Sequence, residues 1–257
     1  MAVGAKDAVA ALRRTRDELQ AFVQNLSSEE LGRPSGASEW TVAQVLSHLG
    51  SAAEIGHHTL TTGKADLGAA PVIWDRWNAM SPREQADGFM AADVRLVGAY
   101  EALDDEELDS KLIDVGFLPQ PVHVVFLATM RLSEVGLHGW DINVSFDPHA
   151  TVAGHIVPIV LEQLPLFAGF FAKPIGRSGL VAIETTDPAR HYRLELGEDG
   201  ASVTEGPAAD VAARANLPAE AWLRLTAGRL AADHTPAGVR VEGDVSLDDL
   251  RRAFPGY

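Results

Sequence analysis

The residues with the clearest capacity for chemistry form one short polar stripe, which consists of Arg131, Glu134, His138 and Asp141. Its members are spaced by three, four and three positions, so on an α-helix their side chains share one face. The surrounding residues are mostly apolar, which is typical of a helix at the centre of a bundle. Charged groups buried there cost on the order of several kcal/mol unless they pair or bind a metal ion.

The stripe alone leaves two interpretations open. In the first it faces solvent, or Arg131 and Glu134 form an ordinary ion pair beside a buried, hydrogen-bonded His138. In the second, Glu134 and His138, one helical turn apart, are metal ligands.

His48 favours the second interpretation, because it lies at the edge of the apolar face of another predicted helix, next to Leu49. Two imidazoles and one carboxylate from facing helices suit zinc, and they leave a coordination position for water, substrate or a thiol. Nickel, cobalt and iron accept the same ligands. Asp141 is the candidate to orient an imidazole by accepting its other ring N–H.

Apolar periodicity predicts the helices that position these residues. Thr41 with Gln44, and Ser81 with Glu84, have the spacing of capping boxes, and Pro82 suits a first helical position. The predicted helices of the first half cover residues 5–26, 41–63, 82–103 and 121–145.

The second half of the chain has a different pattern of apolar and polar residues. The apolar segment 152–171 is interpreted as a buried helix, and short alternating runs separated by Gly, Pro and Asp follow it. Strands are predicted in LVAIET, HYRLEL, ASVTEG and GVRVEG, and helices in PAEAWLRLTAG and SLDDLRRAF. The sequence therefore predicts an α+β protein with a four-helix bundle at residues 1–150 and a small α+β domain at residues 151–257.

Charge and composition restrict the partners. The net charge of -15 repels nucleic acid and anionic membrane surfaces. The chain contains no cysteine, so a disulfide, a thiolate ligand and a cysteine nucleophile are excluded, and any reacting thiol must be brought in. The first twenty residues lack the apolar run and cleavage site of a signal peptide, which predicts a cytoplasmic location.

Several short motifs occur together in a fixed order across most of the chain. They are Glu39-Trp40-Thr41-Val42, His48, Asn78 before a capped helix, and then Glu134, His138 and Asp141. Their order and spacing resemble the mycothiol-dependent maleylpyruvate isomerase family within the DinB-like metalloprotein superfamily. The resemblance implies a DinB-like bundle in which His48, Glu134 and His138 hold zinc, with mycothiol as the thiol cosubstrate.

The resemblance extends to the second half, where ADVAARANLPAEAWLRLTAGRL and VEGDVSLDDLRRAF look like the sterol-carrier-like C-terminal domain of those isomerases. That domain supplies an arginine to the active site. Arg193 and Arg240 are the candidates here, each on a predicted strand, and either could instead be an exposed charge.

Three functions follow as hypotheses. The first is a metal-dependent isomerase, in which the thiolate adds to a conjugated double bond, the resulting single bond rotates, and the thiol leaves again. The second is a mycothiol-dependent S-transferase, which consumes the thiol. The third is a non-catalytic binding protein whose metal only ties helices together. The expected partners are a small-molecule substrate and a low-molecular-weight thiol; the substrate and the oligomeric state stay open.

Overall fold

A computed structural model describes residues 4–37 and 39–256 of the chain. The chain divides into two compact units, Met1–Asp147 and Pro148–Tyr257. Helices dominate the first unit, and the second contains a five-stranded sheet with helices. The predicted α+β class is confirmed.

The first unit is built on four long helices, each of 19 to 21 residues. Its helices are α1 (Ala5–Val23), α2 (Ser28–Leu31), α3 (Val42–Thr62), α4 (Ala70–Asn78), α5 (Pro82–Glu101), α6 (Asp105–Ser110) and α7 (Val124–Asn143). The long helices α1 and α3 each pack against both α5 and α7, which makes a four-helix bundle. A two-stranded antiparallel sheet joins β1 (Leu112–Ile113) to β2 (Val122–His123).

Local sequence fixes where the long helices begin. Thr41 and Gln44 form a complete capping box at the start of α3, and Ser81 and Glu84 form another at the start of α5, which confirms both predictions. Helix α3 ends at Gly63, whose φ of 78° is a left-handed conformation that favours glycine. The capping box therefore fixes where α3 begins, and His48 follows seven residues after Thr41 on the same helix.

The start of α7 differs from the sequence prediction. The helix was expected from Pro121 and begins instead at Val124, because Val122 and His123 pair with β1. Apolar β-branched residues suit a strand as well as a buried helix, so periodicity could not separate the two. The short helices α2, α4 and α6 were not predicted either, since each is too brief to show a period.

The second unit contains a mixed sheet in the order β5-β4-β3-β6-β7. Its strands are β3 (Gly179–Thr186), β4 (Arg190–Gly197), β5 (Gly200–Glu205), β6 (Ala213–Pro218) and β7 (Arg240–Gly243). Strand β3 runs parallel to β6 and antiparallel to β4. One face is apolar and buried, and Tyr192 on this face lies 6.0 Å, between ring centroids, from Trp222 of α10 (Ala219–Thr226). The C-terminal α11 (Leu247–Ala253) begins at a capping box of Ser246 and Asp249.

The buried helix expected over residues 152–171 is wrong. Two short helices occupy the segment, α8 (Val157–Val160) and α9 (Leu164–Phe171), and a proline lies in the first turn of each. Proline lacks the N–H that a continuous helix would use at residue 165, so Pro165 interrupts the hydrogen-bond pattern between the two. Phe170 in α9 is exposed. No helix in the described ranges is long and apolar enough to cross a membrane.

Close packing between α3 and α4 gives a stability prediction. Gly50 of α3 lies against the indole of buried Trp77, and a methyl group at that position would overlap the ring. We expect Gly50→Ala to lower the free energy of unfolding by about 1–3 kcal/mol, because overpacking forces side chains and backbone to shift. Urea denaturation measures the change.

Gly98 of α5 is the matched control, since a methyl group there would meet nothing within 4 Å. Gly98→Ala should raise the free energy of unfolding by up to about 1 kcal/mol through helix propensity alone. Equal stability of the Gly50→Ala variant and the wild type would contradict the packing argument.

Candidate active site

The three residues predicted as metal ligands come together in the first unit, where α3 packs against α7. His48 Nε2 lies 3.1 Å from Glu134 Oε1. The imidazole ring centroids of His48 and His138 are 4.7 Å apart. No three His, Asp or Glu side chains of the described residues are already arranged to hold a metal ion, so the structure shows a cluster of donor groups rather than a formed metal centre.

Asp141 lies one turn beyond His138, and its carboxylate is fully buried. His138 Nδ1 is 2.8 Å from Asp141 Oδ2. Because an ionised carboxylate only accepts hydrogen bonds, this contact places the proton of a neutral imidazole on Nδ1 and the lone pair on Nε2. Asp141 thereby selects the nitrogen with which His138 can bind a ligand.

Arg131 connects Glu134 to two other helices. Its Nη1 donates to Glu134 Oε2 at 2.7 Å, and its Nη2 donates to Asp93 Oδ1 at 2.7 Å and to the Leu49 carbonyl oxygen at 2.9 Å. Both Arg131 and Asp93 are buried. The guanidinium therefore links α7 to α5 and to the residue that follows His48 on α3.

Asp93 is a site residue that sequence reasoning missed. It stands four positions after Phe89 and four before Val97, so it lies on the buried face of α5 between apolar neighbours. A lone carboxylate on an otherwise apolar stripe is a usable signal, because buried charges are expected to have partners.

The charge state of Glu134 follows from these contacts. Burial raises the pKa of Glu134, but the charge of Arg131 and the hydrogen bond with His48 outweigh it and lower the pKa to about 2. The carboxylate is thus an anion throughout the physiological range, as a metal ligand must be.

This shift predicts a pH-dependent contribution to stability. A carboxylate with a pKa near 2 in the folded chain and about 4.3 when unfolded stabilises fully above about pH 4.5, and the contribution disappears as the pH falls towards 2. We expect metal-free wild type to melt at a higher temperature than Glu134→Gln at neutral pH, with the gap closing in acid. Thermal melts in a chelator measure it; a gap that stays constant down to about pH 2.5 would contradict the assignment.

Trp40 covers the two imidazoles on one side. Its ring centroid lies 5.3 Å from that of His48 and 6.2 Å from that of His138, with the Trp40 and His138 planes inclined by 22°. Trp40 also lines a cavity of about 540 Å³. The described residues around this cavity carry no charge, and its polar lining consists of Thr41, Gln44, Asn78 and Gln85. Trp40 is the residue that connects this cavity with the two histidines.

The two candidate arginines lie in the second unit. Arg193 is on β4 and Arg240 on β7, and both are exposed on the face of the sheet opposite Tyr192 and its buried neighbours. Arg193 Nη2 approaches Glu195 Oε1 only to 3.8 Å. An exposed and loosely paired guanidinium such as that of Arg193 can turn towards a carboxylate ligand.

The fold and the site together define an α+β protein whose helical bundle carries a histidine–carboxylate cluster. A family model described as the mycothiol maleylpyruvate isomerase N-terminal domain matches residues 12–143. The chain therefore belongs to this family, which confirms the resemblance found in the sequence. The matched segment includes α3 and α7 and so includes the whole cluster.

Two solved structures share the fold. One is the mycothiol-dependent maleylpyruvate isomerase, with 13% sequence identity and a TM-score of 0.67, and the other is a histidine-to-alanine mutant of such an isomerase, with 14% identity and a TM-score of 0.69. In each comparison 95% of this chain and 95% of the other chain are covered. No curated protein matches the sequence. The sterol-carrier-like character of the second unit stays a prediction.

Proposed function

We propose that this protein is a mycothiol-dependent metalloenzyme that isomerises a cis double bond to trans by adding and then eliminating a thiolate. The observation that carries the proposal is the meeting of His48, Glu134 and His138 where α3 packs against α7. Membership of the family and the fold shared with the two isomerase structures support it. A cytoplasmic location, where thiols stay reduced, is part of the proposal.

The distance between two of the three donor atoms supports a divalent ion. Ligands about 2.1 Å from a tetrahedral zinc ion are separated by about 3.4 Å. His48 Nε2 and Glu134 Oε1 are 3.1 Å apart, so a movement of a few tenths of an ångström would admit the ion between them. His138, oriented by Asp141, would supply the third donor.

The chemistry of the donor set supports the same metal. Asp93, Glu134 and Asp141 lie in one hydrogen-bonded cluster with Arg131 and the two imidazoles. Two imidazole nitrogens and one carboxylate oxygen are the ligands that zinc takes at catalytic sites.

A divalent ion held by these residues would supply a Lewis acid that favours the thiolate form of a thiol. Glu134 contributes the anionic oxygen, and Arg131 keeps that carboxylate ionised. Trp40 shields one side of the histidines from water. The cavity beside Trp40 can hold the uncharged part of the thiol or substrate, and Arg193 or Arg240 is the proposed partner of the substrate carboxylate.

The test begins with metal content. We expect the purified protein to hold about one divalent ion per chain after zinc loading and desalting, because three protein ligands form one site. Elemental analysis measures it, and metal below about a tenth of an equivalent would overturn the site. The loaded protein should then convert a cis-configured conjugated acid to its trans form only when mycothiol is present, and the thiol should be recovered unchanged.

An S-transferase is the second candidate. The isomerase structures share the fold at only 13% and 14% sequence identity, so the electrophile that the same activated thiolate attacks can differ. Thiol titration separates the two reactions, because a transferase consumes one thiol per turnover. Bound metal with neither reaction would indicate a binding protein.

A further inference from the structure

The buried pair of Arg131 and Asp93 is not arranged for maximal stability. Asp93 Oδ2 and Arg131 Nε are buried and have no hydrogen-bond partner among the described residues. Burying an ion pair costs desolvation energy that the attraction often only repays, and apolar replacements of similar volume are frequently neutral or stabilising. Two unsatisfied polar atoms add to that cost. A role other than stability is the simpler explanation for the pair.

The contacts of Arg131 indicate what that role is. One end of the guanidinium holds Glu134 Oε2, which leaves Oε1 as the oxygen that faces His48. The other end holds the Leu49 carbonyl oxygen, one residue from His48. A single rigid group thus fixes the carboxylate of one candidate ligand and the backbone beside another.

Asp93 in turn holds the guanidinium. Its Oδ1 lies 2.7 Å from Arg131 Nη2, and the aspartate is fully buried on α5, where it cannot move away. A series of side-chain contacts therefore connects α5 to α3, and its members are Asp93, Arg131, Glu134 and His48.

We propose that Arg131 and Asp93 are positioning residues that present Glu134 as a ligand through one oxygen only. The inference rests on the proposed metal site. The hydrogen bond from Arg131 to Oε2 disfavours chelation of the ion through both oxygens of Glu134. Binding through Oε1 alone would leave a coordination position open for the thiol.

Arg131→Lys is the first test, because lysine keeps the positive charge but lacks the planar fork that reaches three acceptors at once. Asp93→Asn is the second, since it keeps the volume and removes the charge that holds the guanidinium. Each variant should bind zinc about 10 to 100-fold more weakly than the wild type, as is typical when a partner of a metal ligand is lost. Competition with a chromophoric chelator measures the affinity. At saturating zinc, kcat should fall while KM for mycothiol stays near the wild-type value.

Arg83→Lys is the matched control. Arg83 also donates to one carboxylate and one carbonyl, with Nη2 at 2.6 Å from Asp87 Oδ1 and Nη1 at 3.2 Å from the Leu26 oxygen. Neither acceptor belongs to the cluster around His48 and Glu134. The same chemical change there should leave zinc affinity and kcat unchanged.

The outcomes separate the inference from the function on which it rests. Wild type that takes up no zinc overturns the metal site and this inference with it. Wild-type uptake, together with unchanged zinc affinity and kcat in folded Arg131→Lys and Asp93→Asn, overturns the inference alone. If circular dichroism shows that Arg131→Lys does not fold, Asp93→Asn decides the question, because it leaves Arg131 and Glu134 in place.

Discussion

Replacing His138 with alanine should remove the bound divalent ion and abolish thiol-dependent turnover while the bundle stays folded. Only two of the three proposed ligands would remain, and Asp141, whose carboxylate now contacts the imidazole, would face an empty space. Loss of a direct ligand removes a metal site rather than weakening it. Elemental analysis after zinc loading, with circular dichroism to verify folding, measures the effect.

His58→Ala is the control for this change. His58 lies on α3 like His48, but it is exposed and ten positions further along the chain, more than two helical turns away. Metal content and turnover should match the wild type. Similar losses at His58 and His138 would show that the wrong histidine has been chosen.

Asp141→Asn should produce a smaller but still large effect, lowering metal affinity or turnover by about 10 to 100-fold in a protein that stays folded. An amide accepts more weakly than a carboxylate, and if its nitrogen faces the ring it reverses the tautomer and blocks His138 Nε2. Zinc affinity by chelator competition and steady-state rates measure the change. Asp87→Asn, which alters an exposed carboxylate on α5, should behave as wild type.

Two results would revise the role of Asp141. Wild-type affinity and turnover would mean that the functional stripe on α7 ends at His138. A loss as severe as that of Glu134→Gln would mean that Asp141 binds the ion directly.

The geometry of the candidate site could be predicted from sequence where it depends on local structure. Glu134 and His138 share a helix face by spacing alone, and the capping box at Thr41 fixes where α3 begins. The direction of the His48 side chain depends on how α3 packs in the bundle. The meeting of α3 with α7 was inferred from the chemistry of the donor set and from the family resemblance. The spacing of apolar residues along a helix does not indicate which two helices of a bundle are neighbours.

The supporting residues were harder to identify, because their roles depend on tertiary contacts. Asp93 looks like a solitary polar substitution on α5 until Arg131 is placed against it. Strand β6 was missed for a related reason. Its sequence, ARANLP, contains few β-branched or aromatic residues, and its pairing with β3 and β7 determines its conformation.

The hydrogen bond from Arg131 to the Leu49 carbonyl closes a long segment of chain, since the two residues are 82 positions apart. Helices α4, α5 and α6 all lie within that loop. An ion that binds only the closed form stabilises it by about 2.7 kcal/mol at a concentration of 100 times Kd. We therefore expect zinc to slow amide hydrogen exchange in these three helices at every amide whose exchange requires the loop to open. The effect does not require the backbone of these helices to contact the ion.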